Sequence, residues 1–529
     1  MHDVLIAGGG PVGLGLAIEL GQRGIDVALV EKRLQPQQIP KGQNLTQRTM
    51  EHMQKWGVEK AIRDAKTIPK GIGLGGLTAY GSLLSGYHYD WFKRASVDRY
   101  YYTENERLPQ YATERVMRDR VAELPSVTTH YGSTVKTVEQ DASSVTLAMS
   151  HADQSRTDKI EGRYLVGCDG SHSLVRRQAG IAEDQTDHDR LMVLVVFRSP
   201  EFFDLVKGFR DKQFFNVLNP ELDGYWMFFG MVEWGQTMFF HAPVPANTNR
   251  DNFDFRELIW QAVGQEFALD MDYVGFWDLR ISVAGNYRAD RIFLAGDSAH
   301  SQPPYGGYGV NTGFEDARNL GWKLAAAQQG WGGEFLLDSY DGERRPVFKS
   351  TANDFIERFI SDDRAFVRRY DPGKNRQEFE AAWSERAEGG SAAGIQTFNP
   401  NYAGSPIIDT VGNTKPSAVG EHTFRALPGF HLSPCKLSDG RDLNTLLGDG
   451  FTYINLDGDE LSSRQMQQAA SNVGVPLKTV TIDCSRGRQA YGCSQILVRP
   501  DHFVAWSGES LGDCIALLGR SAGHVYGDR

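Results

Sequence analysis

The chain has 529 residues, of which 40% are hydrophobic and 23% charged, and its formal net charge is −11. That length exceeds one compact core, so two or three domains are expected. The acidic balance argues against a nucleic-acid partner, which needs clustered Lys and Arg. No apolar run approaches the length of about 18 residues that a membrane span requires. The apolar stretch Val4 to Ala7 lacks the basic lead and cleavage site of a signal peptide. Cysteines at 168, 435, 484, 493 and 514 are odd in number and form no C-x-x-C. They point to reduced thiols and a cytoplasmic protein, with neither a disulfide framework nor a metal site.

The first predicted element is a strand over Val4–Ala7, apolar enough to be buried on both faces of a parallel sheet. Gly8-Gly9-Gly10-Pro11-Val12-Gly13 follows and fits G-x-G-x-x-G. The first glycine permits a tight turn, the second lets backbone approach a diphosphate, and the third lets the helix sit close to the strand. A helix through Leu16, Ala17 and Leu20 stops at Gly24, and a second strand, Val27 to Val30, ends in Glu31. Glu31 lies 18 residues beyond Gly13, where an acidic residue meets a ribose hydroxyl. This unit predicts a dinucleotide site at a helix N-terminus and leaves NAD and FAD both open.

Further along, Tyr164 to Arg176 reads as strand, Asp169-Gly170 turn and helix start, with Asp169 equally suited to cap that helix. Residues 181–284 differ in texture. Strands are predicted over Leu191–Phe197, Tyr225–Met231 and Gln236–His241, dense in aromatics and separated by Gly, Pro and Asp turns, with Tyr273 to Ile281 returning the chain to the first domain. Arg291–Ala295 is another apolar strand; it ends in Gly296-Asp297 and runs through Pro304 and Gly306-Gly307-Tyr308-Gly309-Val310-Asn311 into a helix. Beyond 395, segments such as Phe451–Leu456 and Gln495–Trp506 suggest a separate α/β unit. No second G-x-G-x-x-G follows a predicted strand and opens a helix.

The glycine fingerprint, the Asp169-Gly170 pair and the Gly296-Asp297 pair occur in this order, together with Leu108-Pro109-Gln110-Tyr111 and the run Asp316 to Leu324. In these motifs the sequence resembles the single-component FAD-dependent aromatic hydroxylases, a group that includes para-hydroxybenzoate, phenol and polyketide hydroxylases. The resemblance implies an α/β fold: a Rossmann-like FAD-binding domain with an inserted β-sheet substrate domain and a C-terminal thioredoxin-like domain. The segments are then 1–180 and 285–394 for the FAD-binding domain, 181–284 for the substrate sheet, and 395–529 for the thioredoxin-like domain, without a redox C-x-x-C. It also places FAD against Gly8, Gly10, Pro11, Val12, Gly13, Glu31 and Lys32, against Arg48 and Gln110, and against Asp169 and Asp297. Pro304, Gly307, Gly309, Val310 and Asn311 would lie along the flavin ring. Tyr225, Phe239, His241 and Arg280 are candidates for the substrate pocket.

Three departures from the family pattern stand out. Tyr308 replaces a common Gln and is open to either the flavin or the substrate; Lys41 replaces a common Arg; and Gln43 stands where phenol hydroxylase-type members carry an acid that helps deprotonate the phenol. The activity implied is hydroxylation of a small phenolic or electron-rich aromatic through a flavin C4a-hydroperoxide, with NADPH or NADH docking transiently as reductant. Alternatives are oxygenation of an antibiotic or polyketide, including Baeyer–Villiger insertion, and a flavin-binding electron carrier without oxygenation. A monomer or homodimer is expected.

Overall fold

The computed structural model describes residues 1–69, 71–91, 93–151, 157–209, 211–410 and 412–524, the side chains at 187–189 and 390–393 apart. The strand His2–Ala7 is central to an eight-stranded sheet. It runs parallel to Val27–Glu31 on one side and Thr157–Gly167 on the other, and Ile292–Leu294 and Val127–Tyr131 extend the parallel set outward. All five residues of Val27–Glu31 are buried, as the continuous apolar run requires. The helix Pro11–Gly21 crosses between the first two strands and is buried from Gly13 onward, because the helices Gly309–Gln328 and Gln110–Ala122 cover it. The hairpin Ser133–Gln140 and Val145–His151 attaches antiparallel to Thr157–Gly167.

A second eight-stranded sheet is almost wholly antiparallel. Its order is His300–Ser301, Asp270–Ala284, Glu183–Arg198, Thr237–Pro245, Trp226–Glu233, Lys212–Leu218, Gly75–Tyr80 and His88–Trp91. Two of its strands thus come from residues 75–91, a stretch assigned from sequence to the first domain, and Gly75–Tyr80 pairs parallel to Lys212–Leu218. Period-two alternation divides this sheet's residues between its faces. Val193, Val195, Phe215, Phe229 and Phe240 pack beneath the helix Phe255–Val263. Leu194, Phe214, Phe228, Phe239 and His241 point the other way, toward the first sheet.

The C-terminal sheet has the order Leu477–Thr481, Phe451–Asn455, Gln495–Val498, Val504–Gly508. Its first pair is parallel and the other two antiparallel. With the helices Glu460–Val473 and Cys514–Ser521, this is the thioredoxin-like arrangement. None of the five cysteines is bridged. The described residues of 395–424 do not join this sheet. They make a two-stranded pair, Phe398–Asn401 with Ser417–Val419, which packs on the helix Ser339–Ser350.

What fastens this unit to the first domain is ionic and buried. Arg499 donates to Glu343 at 2.6 and 3.0 Å and to Asp501 at 3.0 Å, and all three side chains are 0% exposed. Glu343 also accepts from Lys323 and Asn319, each at 2.7 Å. Burial alone would raise the Glu343 carboxyl, but Arg499 and Lys323 overcome it and hold the group far below the usual carboxylate range. Removing one member of such a cluster leaves an uncompensated buried charge. Arg499→Met is therefore expected to cost about 3–5 kcal/mol, measured as a lowered urea midpoint at unchanged slope; a loss under about 1 kcal/mol would contradict the paired arrangement.

Candidate active site

A single cavity of about 990 Å³ lies between the two large sheets. It extends from the glycine turn after the first strand to the aromatic face of the second sheet, and most residues singled out from the sequence line it. Gly8, Gly10, Pro11, Val12, Glu31, Lys32, Gln110, Asp169, Asp297, Pro304, Gly307, Gly309 and Val310 all do so, as do Phe239, His241 and Arg280.

The glycine turn shows how its sequence sets the geometry. Gly8 has φ +107°, a conformation that favours glycine. A Cβ on Gly13 would stand 2.0 Å from the Gly8 carbonyl oxygen, so this residue serves helix–strand contact and lies behind the cavity wall. A Cβ on Gly10 would meet nothing within 4 Å, leaving an open cradle on the cavity side. The helix beginning at Pro11 has neither a side-chain cap nor an acidic residue in its first turn. Its positive end is thus available to an anion such as a diphosphate. Glu31 is held at the strand end by N–H donors from Gly9 at 2.8 Å and Arg33 at 2.9 Å.

Asp169 and Asp297 differ in role. Asp169 accepts from the N–H groups of Leu174 at 2.7 Å and Val175 at 3.1 Å and from the Ser173 hydroxyl at 2.5 Å, so it anchors the helix start even as it borders the cavity. Ser173, not Asp169, is the residue at the N-cap. Asp297 opens into the cavity and has no side-chain hydrogen bond among the described residues. The residue is exposed to the open cavity, yet the mass of protein around it partly desolvates the carboxyl and raises it, with His300 and Lys41 acting against this. Its turn is braced from behind: Asp316 accepts from the Gly296 N–H at 3.0 Å and from His300 at 2.7 Å, and pairs with Arg344 at 2.7 Å. An acceptor with no partner, next to an open glycine cradle, fits the hydroxyl-rich chain and diphosphate of FAD.

Besides Gly13, four assignments are placed elsewhere. Arg48 turns away from the cavity to Glu315 at 3.1 Å, Glu51 at 3.0 Å and the Asp501 carbonyl at 2.5 Å, since burial demands counter-charges that the cavity does not offer. Asn311 is a brace: its amide bonds the backbones of Thr46, Asn44 and Gly307 and tacks the helix start to the 44–49 segment. Tyr225 packs against Tyr305 and Arg190 outside the cavity. Tyr308 faces neither flavin cleft nor substrate chamber; its ring lies 4.3 Å from Phe398 and 6.0 Å from Phe355.

The sequence reading missed Trp91, Arg94, Asn105, Arg107, Phe214, Trp226, Phe228 and Trp277, all of which line the cavity. The alternation in Lys212–Leu218 and Trp226–Glu233 carried a signal for Phe214 and Phe228. The residues from 91 to 107 lie in no motif and arrive through tertiary folding alone. His241 sits edge-on between Phe239 at 4.9 Å and Trp277 at 5.1 Å. Its Nδ1 has no partner among the described residues, and burial pushes the imidazole down to about 3.

The fold and the cavity define a dinucleotide-binding flavoprotein whose cofactor cleft opens directly on an aromatic chamber. The FAD binding domain model matches residues 1–354, and the model of the C-terminal domain of aromatic-ring hydroxylases matches 425–527. A putative polyketide hydroxylase of Streptomyces halstedii is 31% identical over 95% of this chain and 92% of its own. The 4-methyl-5-nitrocatechol 5-monooxygenase of a Burkholderia species is 30% identical over 96% and 94%. The rebeccamycin biosynthetic enzyme RebC with reduced flavin superposes with a TM-score of 0.84 at 28% identity over 99% of both chains. The chain belongs to the family of FAD-dependent aromatic-ring hydroxylases, and FAD is its cofactor. Among the described residues no helix is long and apolar enough to cross a membrane.

Two outcomes test the site. Gly10→Val has room for its side chain and is expected to leave unfolding within about 0.5 kcal/mol of the parent while abolishing retention of FAD through gel filtration. The depressed His241 pKa means that the unfolded chain binds this proton more readily below about pH 6.5. The stability contributed by keeping His241 neutral is thus fully present above that pH and is lost as pH falls toward about 3. The parent should lose about 2 kcal/mol more than His241→Gln between pH 7 and pH 5, measured by urea unfolding at both values; equal losses would contradict a buried neutral imidazole.

Proposed function

We propose that this protein is a monooxygenase that uses NADPH or NADH and O₂ to hydroxylate a phenolic or other electron-rich aromatic substrate. One observation carries the reading: the cofactor cleft and the aromatic chamber are one continuous cavity, so a flat ring and the flavin meet without intervening protein. When bound, FAD supplies the acceptance of hydride and the activation of O₂. The chain's own residues bind, orient and exclude water. Gly8, Gly10 and the helix start at Pro11 receive the diphosphate, Glu31 the ribose, and Asp297 the ribityl hydroxyls. Gly307 and Gly309 let backbone approach the ring face, and the uncapped start of the Gly309–Gln328 helix favours negative charge there.

Phe214, Phe228 and Phe239 form an apolar wall that fits a flat organic molecule and keeps water from the reacting centre. His241 is uncharged at neutral pH, so it offers the substrate a hydrogen-bonding ring nitrogen and not a cation. Among the described residues only one Rossmann-type sheet is present, which supports transient docking of the nicotinamide nucleotide. A polyketide or antibiotic substrate is the second reading. The cavity volume supports it, as does the likeness to a putative polyketide hydroxylase.

The test is to supply the purified yellow protein with phenols and polycyclic phenols and follow NADPH and NADH oxidation, O₂ uptake and product mass. Substrate-stimulated oxidation with matched O₂ uptake and one added oxygen is expected. Hydrogen peroxide formed in full yield with every aromatic would favour an electron-carrying flavoprotein. Asp297→Ala is expected to lose more than about 90% of bound FAD while remaining folded, because it removes a charge-assisted acceptor worth about 1.5–3 kcal/mol per hydrogen bond.

A further inference from the structure

The aromatic chamber has a face and an end, and different residues make them. Phe214, Phe228 and Phe239 form the face: Phe214 stacks on Phe228 at 5.8 Å, and Phe228 is tilted only 32° to Phe239 at 5.7 Å. Trp91 stands across that face, edge-on to Phe214 at 5.5 Å and to Phe228 at 6.2 Å. Trp226 meets Trp91 at 5.0 Å with the two rings 87° apart, and it meets Tyr305, beside the cofactor glycines, at 4.7 Å. The row Trp91, Trp226, Tyr305 thus runs from the edge strand of the second sheet to the flavin side, and all three line the cavity.

Behind Trp226 lies a buried charge. The indole Nε1–H donates to one oxygen of Asp363, a carboxylate 2% exposed on the helix Arg358–Arg369. Arg386 of the helix Arg376–Thr397 donates to the other oxygen, and also to the Tyr89 hydroxyl at 3.1 Å. Tyr89 and Trp91 lie two apart on one strand and so share a face. One guanidinium therefore ties down both tryptophans, Trp226 through Asp363 and Trp91 through its strand. An ion pair buried for cohesion alone is matched by apolar packing of the same volume. What a directional hydrogen bond to the indole adds is a fixed ring orientation at the end of the chamber.

We propose that Trp226 sets the length of aromatic that the chamber accepts, and that Asp363 and Arg386 are positioning residues that hold its indole across the end. This rests on the hydroxylase reading and names the side chain that separates small from extended ring systems. Beyond the indole stand Phe359 at 6.3 Å and Asp363, so a shorter residue at 226 lengthens the chamber into space the protein already encloses.

The experiment is titration of the FAD-loaded protein with phenol, 1-naphthol, 2-anthrol and 1-hydroxypyrene, read from the flavin absorbance at about pH 7, where these phenols are neutral. The parent is expected to lose affinity by about tenfold or more at one step of this ladder. Trp226→Ala should move that step to a larger ring system, and the milder Trp226→Phe should lower it by about threefold or more. Asp363→Leu should blunt the step by about fivefold or more, yet add less than about twofold in the Trp226→Phe background, where no indole N–H remains to be held. Arg386→Lys should keep the step and Arg386→Met should blunt it. A step that stays unchanged in both Trp226 variants, or a parent that binds all four phenols alike, overturns the proposal alone, because aromatics still bind. An Asp363→Leu effect of equal size in both backgrounds overturns the positioning role, since a purely structural residue would act on both. Failure of all four phenols to bind overturns the proposal together with the hydroxylase reading.

Discussion

The buried charge on the helix Gly309–Gln328 is the constraint on which the rest of the molecule depends. Six of its side chains, Glu315, Asp316, Arg318, Asn319, Trp322 and Lys323, are buried polar or hydrogen-bonding groups. Each is matched from a different part of the chain. Arg48 and His52 meet Glu315, His300 and Arg344 meet Asp316, and Glu19 meets Arg318. Glu343 meets Asn319 and Lys323, and Asp501 meets Trp322. Ionised groups in a low-dielectric interior are tolerable only when all are paired, so displacement of any one element strands a charge. The helix is thereby fixed relative to the first sheet, the second sheet's His300 and the C-terminal domain at once.

That fixation has a direct effect on the site. The first turn of this helix supplies Gly309 and Val310 to the cavity, and Asp316, two turns on, holds the turn that presents Asp297. Arg499 and Asp501 of the thioredoxin-like unit bind the same helix through Glu343 and Trp322. A domain without redox cysteines is thus part of the scaffold of the flavin site. Its distance in sequence from the glycine fingerprint conceals how few contacts separate them.

The parts of the fold legible in the sequence are those in which local backbone demands are severe. Gly8 must adopt a positive φ and Gly13 must carry no Cβ, so the glycine turn that opens the first βαβ unit is legible in the sequence, while the strand before it starts two residues earlier, at His2, and the helix after it ends at Gly21. Phe239 and His241, singled out within an aromatic-rich strand, line the cavity, and period-two alternation along Lys212–Leu218 and Trp226–Glu233 puts Phe214 and Phe228 on the same face. An arginine near a nucleotide site invites a phosphate contact, and the local pattern of residues around Arg48 does not reveal that buried Glu51 and Glu315 pair with it. Tyr308 adjoins the glycines that line the cavity, yet its ring packs on Phe398. Residues 75–107 carry no motif, and their contribution of two strands and Arg107 follows from long-range pairing with Lys212–Leu218 and Asn44–Leu45, which local pattern does not encode.

In the proposed arrangement cofactor and aromatic substrate share one cavity, with the flavin on the first sheet's side and the substrate against the second sheet's aromatic face. A crystal structure of the FAD-loaded protein with a bound phenol tests this most directly. It is predicted to show the ribityl chain at Asp297, the diphosphate at Gly10, and the phenol ring against Phe214, Phe228 and Phe239. A flavin seated away from Asp297, or an aromatic bound outside this cavity, would contradict it.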